Sequence, residues 1–530
     1  MITTTQEFNQ VANGTIRPIA QNTLISFTKQ RSASMNWFTL DTSQLDGADI
    51  LATDPDDVIQ AWDAYEWQDF SNDVISMNWG RSIAFPYGVQ SATCDVTLNN
   101  TTQKYTYENE DSPLHGLILP KRPIRTYAGF KKGGTSETVP VFVGLTQKMP
   151  KYSGKNDSSV TFTALDFLSE IGDTKLTQTI LLRDVRTDEA IASVFDAYGL
   201  DSSMYSLSKG LNVIPFADFE SGADAGNILA KLVQAENGAL WLDEKGVIRF
   251  APRVADLGKT PIYTFGENNI IDISPSRTDG IYNRVRIKTD IRAVQENQPI
   301  FSVLNEDGYQ RPDSEDTYRL RANGNTEIWL SFDNPIWSAN VAPTLNGANT
   351  DSSFIALDLG GNVVSSNISV TGWLFSNSAK LTFSNLNSFP VSLSFLEIWG
   401  EPAKVVDTID YDAYDEDSVE QFGEMTLEIT DNEFFGSYGN ADAFAMDILR
   451  NRSGYSPTLT MKVKGNPALQ LGDIIQVDYK YPNTYKIVGI QSSISNSSGM
   501  STTMTIEKFT VMFPFILDES QLDGTDVLGG

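Results

Sequence analysis

The sequence has one cysteine, Cys94, and one histidine, His115, in 530 residues. A lone thiol excludes a disulfide within the chain, and one thiol beside one imidazole leaves almost nothing from which to build a Cys/His metal site. The same scarcity starves nucleophilic catalysis. A Ser-His-Asp or Cys-His arrangement would have to recruit His115, which stands in the turn-like Ser112-Pro113-Leu114-His115-Gly116, where an incidental loop histidine is the plainer reading. Basic residues are also few, 39 Lys plus Arg against 68 Asp plus Glu, for a net charge of -29. A surface that wraps nucleic acid by counterion release needs the opposite balance. No window approaches the ~18 consecutive apolar residues of a membrane-spanning helix, so no membrane segment is expected. Met1-Ile2-Thr3-Thr4-Thr5-Gln6 lacks the basic stretch and apolar run of a secretory signal, and none is expected. There is no G-x-S-x-G elbow, H-E-x-x-H pair or dinucleotide fingerprint, and Gly154-Lys155 lacks the glycine and Ser/Thr of a phosphate loop. The expectation is no catalytic residues, no cofactor and no metal.

What is present is core material. Apolar residues make up 40% and aromatics 11% of the chain, enough to exclude large-scale disorder, and the length suits roughly three to five domains. Most of it alternates apolar and polar residues between Gly/Asn/Asp/Ser turns, the pattern of short antiparallel strands. Six or so strands over residues 73–170, among them Ala92–Leu98, Ile124–Phe130 and Val139–Leu145, predict a small closed barrel or sandwich. The period then changes. Thr187 is expected to cap a helix carrying Ile191, Val194, Phe195 and Tyr198 on one face, stopped by Gly199. A second helix over about 223–237 carries Ile228, Leu229, Leu232 and Val233 and stops at Gly238. A hairpin follows, Ala239–Asp243 and Val247–Ala251 about a Glu244-Lys245-Gly246 turn, so 171–255 reads as an α+β module.

Residues 293–402, rich in Asn, Ser and aromatics, read as an inserted β-sandwich. An acidic linker over 407–420 and a third helix over about 441–452 fill 403–455. Residues 256–292 and 456–510 read together as a second, discontinuous barrel. Arms at 1–72 and 511–530 each hold one copy of a repeat: Phe38–Leu51 recurs as Phe515–Leu528, identical at 10 of 14 positions. Each copy is read as an arm filling a docking groove, on its own chain or a neighbour's, or as a duplicated surface loop. Its ligand spacing departs from a calcium loop. The fold class is mainly β with minor α, in several domains.

Four segments, in this order, resemble the bacteriophage tail tip or baseplate hub family, related to the hub of contractile injection systems. They are Ala92–Asn100 with Leu119-Pro120-Lys121-Arg122-Pro123-Ile124-Arg125; Val141–Leu145 with Val160–Asp166; Glu236–Asp243 through Arg253; and Gly465–Asp473 with Ile487–Ile490. Together they cover about half the chain. The resemblance implies a structural virion protein at the tail tip, made in the host cytoplasm. It implies a homotrimer whose two tube-like barrels per chain match a sixfold tube to a threefold tip. The implied partners are the tail tube or distal tail protein, the tape-measure protein and tip fibre or spike proteins, with DNA passing without specific binding. The acidic balance suits a channel wall that repels phosphates if the acids face inward, or it serves solubility alone.

Two other functions are open to the residues. Trp329, Trp337, Trp373 and Trp399 of the 293–402 sandwich could stack on sugars in an adhesin, or pack in a core. Paired carboxylates could serve a cell-wall hydrolase, although abundant acids do not make a catalytic pair.

Overall fold

A computed structural model describes residues 1–14, 17–27, 62, 65–83, 91–153, 158–275, 280–302, 319–345, 351–454 and 458–509. Both repeat copies, 38–51 and 515–528, lie outside the described residues. The chain is mainly β, in several sheets with separate hydrophobic cores.

The largest sheet has 14 strands and joins what the sequence reading kept apart. Its first half runs Val74–Ser82, Thr93–Asn99, Ser159–Leu165, Thr135–Thr146, Pro123–Lys132, Ile19–Ile25 and Gln68–Asp69. Its second half runs Asn483–Ser495, Gly499–Lys508, Leu459–Val463 and Ile270–Pro275. The halves meet where Val74–Ser82 pairs antiparallel with Asn483–Ser495. Among the described residues no sheet closes into a barrel, so neither of the two expected tube-like barrels is a closed ring. Alternation along a strand tells that one face is buried but leaves open which edge the strand joins. Here two edges that could have closed separate rings pair with each other.

Each half centres on a core of its own, the first also taking in Ala468 and Ile494 of the second. Phe27, Trp79, Tyr105, Phe142 and Phe162 pack in the first, and Phe265, Met461, Ile475, Ile487 and Ile506 in the second. Residues 1–14 and Arg17 strap the two together. The helix Gln6–Ala12, capped by the Thr5 side chain, buries Phe8, Val11 and Ala12, with Phe8 against Phe130 of the first half. The Ile2 amide donates to the Ala468 carbonyl of the second half, and the Arg17 guanidinium donates to the carbonyls of Lys464 and Gly465.

The helices of the α+β module stand close to their expected places. Thr187–Ala197 begins one residue after its cap, Arg186, and Thr187 itself is buried, its hydroxyl donating to Glu236 at 2.8 Å. Ala225–Glu236 is capped by Asp224 and ends at Asn237, which takes the left-handed conformation (φ 49°) one residue before the expected stop at Gly238. The hairpin Ala239–Leu242 and Ile248–Ala251 turns over Asp243 to Gly246. The core of this module does not stop at residue 255. It continues into Val285, Ile287, Ile409, Ile429, Phe435, Phe444 and Ile448, so the third helix, Tyr438–Arg452, packs on the module.

Two expected assignments change with the pairing. Arg284–Val294, read as part of the second barrel, pairs instead with Val391–Tyr414 and Thr426–Thr430 in an eight-stranded sheet. The acidic run 407–420, read as a linker, is strand through Tyr414 and then the helix Glu416–Phe422. Val391–Tyr414 is one strand of 24 residues, close to 80 Å long at ~3.3 Å per residue. Its first half pairs with strands of the insert and its second half with Arg284–Val294 of the body. A separate three-stranded sheet, Gly324–Ser331, Ser378–Asn385 and Ile368–Leu374, completes the insert around Phe354, Leu381, Phe383 and Leu396.

Candidate functional site

The junction of the two halves carries an unusual outward face. Residues directly opposite one another in a sheet share a face, so the register defines rows running across strands from both halves. One row reads Ser501, Ser493, Asn78, Asp95, Thr163. A second reads Gly499, Ser495, Ser76, Thr97, Thr161, and a third Thr503, Gln491, Gly80, Thr93, Leu165. Small hydroxyls and amides dominate, and among these fifteen positions the one ionisable side chain is Asp95. The hydroxyls engage one another: Thr97 with Thr161 at 3.0 Å, Ser493 with Ser501 at 3.0 Å, and Thr163 donating to Asp95 at 2.6 Å. Within these fifteen positions there is no cation and no large apolar side chain apart from Leu165; lysines stand beside them, Lys462 opposite Thr503 and Lys151 opposite Thr161.

Behind it the alternation turns inward and the rows become apolar. Trp79, Cys94 and Ala164 face one another across three strands. Burial pushes the Cys94 thiol up to about 12, out of reach of thiolate chemistry at neutral pH. Ser492 and Thr502 continue the Trp79 row and bond to each other at 2.7 Å, and Arg81 is the charged residue among the inward ones. Its guanidinium pairs with Glu244, in the hairpin turn of the module, at 2.6 Å, with both side chains about 6% exposed. Glu244 also accepts from the Gln470 amide of the second half, and Arg81 donates to the Val141 carbonyl of the first. One buried ion pair therefore ties the module to both halves directly behind the hydroxyl face. Nearby, Asp166 caps the helix Phe167–Gly172 and accepts from the Ala92 amide at 2.7 Å. Burial raises its carboxyl to about 6, opposed by those amides and by Arg81.

Tail proteins are among the solved structures that align with the chain. A tail protein from Neisseria meningitidis aligns with a TM-score of 0.44 at 10% identity, over 84% of this chain and 94% of that one. A prophage tail protein from Shewanella oneidensis aligns at 0.41 and 11% identity, over 83% and 94%. A prophage tail protein from Listeria monocytogenes aligns at 0.40 and 9%, over 83% and 91%. No protein-family model matches the sequence, and no curated protein matches it.

The residues singled out in the sequence scatter. His115 is exposed, with its Nδ1 3.1 Å from the Tyr107 carbonyl oxygen and its ring 6.4 Å from that of Tyr107. The four insert tryptophans divide. Trp337 and Trp399 are half-buried, and the Trp399 indole donates to Glu397 at 2.6 Å. Trp329 and Trp373 are 60% and 72% exposed and stand on one face, each opposite Lys380 on the middle strand of the three-stranded sheet. Lys380 pairs with Glu327 at 2.8 Å, and Phe375 stacks on Trp329 with ring centroids 5.6 Å apart. The acid-rich wall considered from composition is not found at the junction face. The hydroxyl rows are not apparent in the sequence because each strand shows only three of their members.

Proposed function

We propose that this chain is a structural tail hub rather than an enzyme: three copies close the end of a tail tube, and the hydroxyl face lines the conduit. The observation that carries this reading is the continuous sheet across the two halves. Two non-contiguous strand sets in each chain offer six per trimer, which suits a collar that meets a sixfold tube and continues into a threefold tip. A wall dominated by Ser, Thr, Asn and Gln, with Asp95 in it and lysines only beside it, lets a polyanion or an extended polypeptide slide, because it offers few cations to trap phosphate and little apolar surface to grip side chains. In this role the partners are the tube or distal tail protein, the tape-measure protein, tip fibres or spikes, and DNA in transit through the virion tail. Class-averaged electron micrographs of the purified chain test it. A three-lobed ring with a central hole is the expected result, and dispersed monomers at micromolar concentration overturn it.

A second reading, adhesion to surface carbohydrate through the insert, is favoured by the Trp329, Lys380 and Trp373 row. Two exposed indoles two strands apart lie roughly 10 Å from each other, with a lysine between them, and indole faces stack on apolar sugar faces. Glycan-array binding by the full chain that disappears in Trp329→Ala and Trp373→Ala is the expected result. Absence of binding by the unaltered chain removes this reading and leaves the hub untouched.

A further inference from the structure

The protein is strongly acidic, yet it holds a cleft of about 470 Å³ where that balance is inverted. The cleft lies where the second half-sheet, the α+β module and the helix Tyr438–Arg452 meet, with Ile83 of the first half at its margin. Arg253, Lys259, Arg450, Arg452, Lys486 and Lys508 line it against three acids. Those acids are engaged within the protein: Asp256 with Lys259 and Lys486, Glu507 with Arg452, and Asp447 with Asn237 and Asn451. Arg450 and Lys508 are exposed. Apolar surface lies between the charges, from Trp241, Leu257, Leu471 and Phe509.

We infer that this cleft receives the Phe515–Leu528 copy of the repeat from its own chain. The segment has the complementary chemistry: Asp518, Glu519, Asp523 and Asp526 with no lysine or arginine, interleaved with Phe515, Ile516, Leu517, Leu522, Val527 and Leu528. The chain also delivers it there. The Phe509 amide donates to the Thr484 carbonyl at 2.9 Å, and Phe509 is itself a lining residue. From it Phe515 is at most about 20 Å away. Tethering makes docking intramolecular, so modest contacts hold the segment in place. The Phe38–Leu51 copy has longer tethers, eleven residues from Phe27 in the core of the first half-sheet and eleven from Trp62 on the module, against six from Phe509 to Phe515. Occupation of the cleft clamps three units of the fold together and goes beyond the hub reading, on which it does not depend.

The test uses the full chain with a benzophenone amino acid in place of Leu522, irradiated in a mixture of heavy-isotope and unlabelled protein. Crosslinks to peptides spanning 251–259 or 447–454, with heavy joined only to heavy and light only to light, are expected. Arg450→Glu combined with Lys508→Glu should lower their yield at least tenfold while the melting curve stays unchanged. Crosslinks to other surfaces, heavy-to-light products, or a yield indifferent to the charge reversals each overturn the inference.

Discussion

Arg81 and Glu244 meet at 2.6 Å in a nearly solvent-free position, one from the strand at the sheet junction and the other from the module's hairpin turn. Removing one partner of such a pair strands the other as an uncompensated charge, which costs about 3–5 kcal/mol. Arg81→Met is therefore expected to lower stability by that order, read from urea unfolding midpoints. Arg81→Met with Glu244→Leu should recover much of the loss. An Arg81→Met protein within 1 kcal/mol of the parent ~ would contradict the assignment.

Asp166 gives stability a pH slope of identifiable sign. Its folded pKa of about 6 stands above the ordinary value of ~3.9 for an aspartate. The native protein therefore binds this proton more tightly than the unfolded chain. The resulting stabilisation is complete below about pH 4 and is lost as pH rises through about 6, in total roughly 3 kcal/mol. Asp166→Asn has no such titration. The difference in unfolding free energy between parent and variant should move against the parent across that window; a flat difference rules the shift out.

The thiol of Cys94 is buried and held in its neutral form. In native protein at pH 8 a chromogenic disulfide reagent is expected to leave it unmodified for hours, whereas one equivalent reacts within minutes in denaturant. Rapid reaction without denaturant would show that the core behind the junction opens.

Charge placed on the hydroxyl face should change passage and leave folding intact. Asn78 and Ser493 face each other on adjacent strands, the first exposed and the second half-buried, and surface changes of this kind usually shift stability by no more than ~0.5 kcal/mol. Asn78→Arg with Ser493→Arg is expected to make assembled protein retain double-stranded DNA in a salt-sensitive manner, where the parent retains none. Equal behaviour of the two would separate this face from any conduit.

Much of the local structure was legible in the sequence. The helices at 187–197, 225–236 and 438–452 announced themselves through apolar spacing, although Arg186 rather than Thr187 caps the first, and the hairpin after Gly238 through its turn. Those signals act within a few residues. What stayed hidden depends on partners far along the chain. Arg284–Val294 alternates as plainly as any strand, but nothing within it says that Arg284 will lie opposite Tyr414. The junction is the same case, since Trp79 and Ser492 face each other across more than four hundred residues of chain. The hydroxyl rows exist only once that register is set. The separation of Trp329 from Trp399 was equally out of reach, because alternation fixes two faces of a strand and not which of them a second layer covers.

The 24-residue strand Val391–Tyr414 has a mechanical consequence. One uninterrupted backbone passes from the insert into the body, where residues 403–414 pair with Arg284–Val294. A force applied to the insert along that strand pulls the ladder lengthwise, so its rungs share the strain instead of unzipping one after another. Whatever engages the insert is thereby geared to the module core through Ile287 and Ile409, and a tug at the periphery is passed along this strand, across the bulge opposite Ile291 and Arg292, to the centre of the molecule.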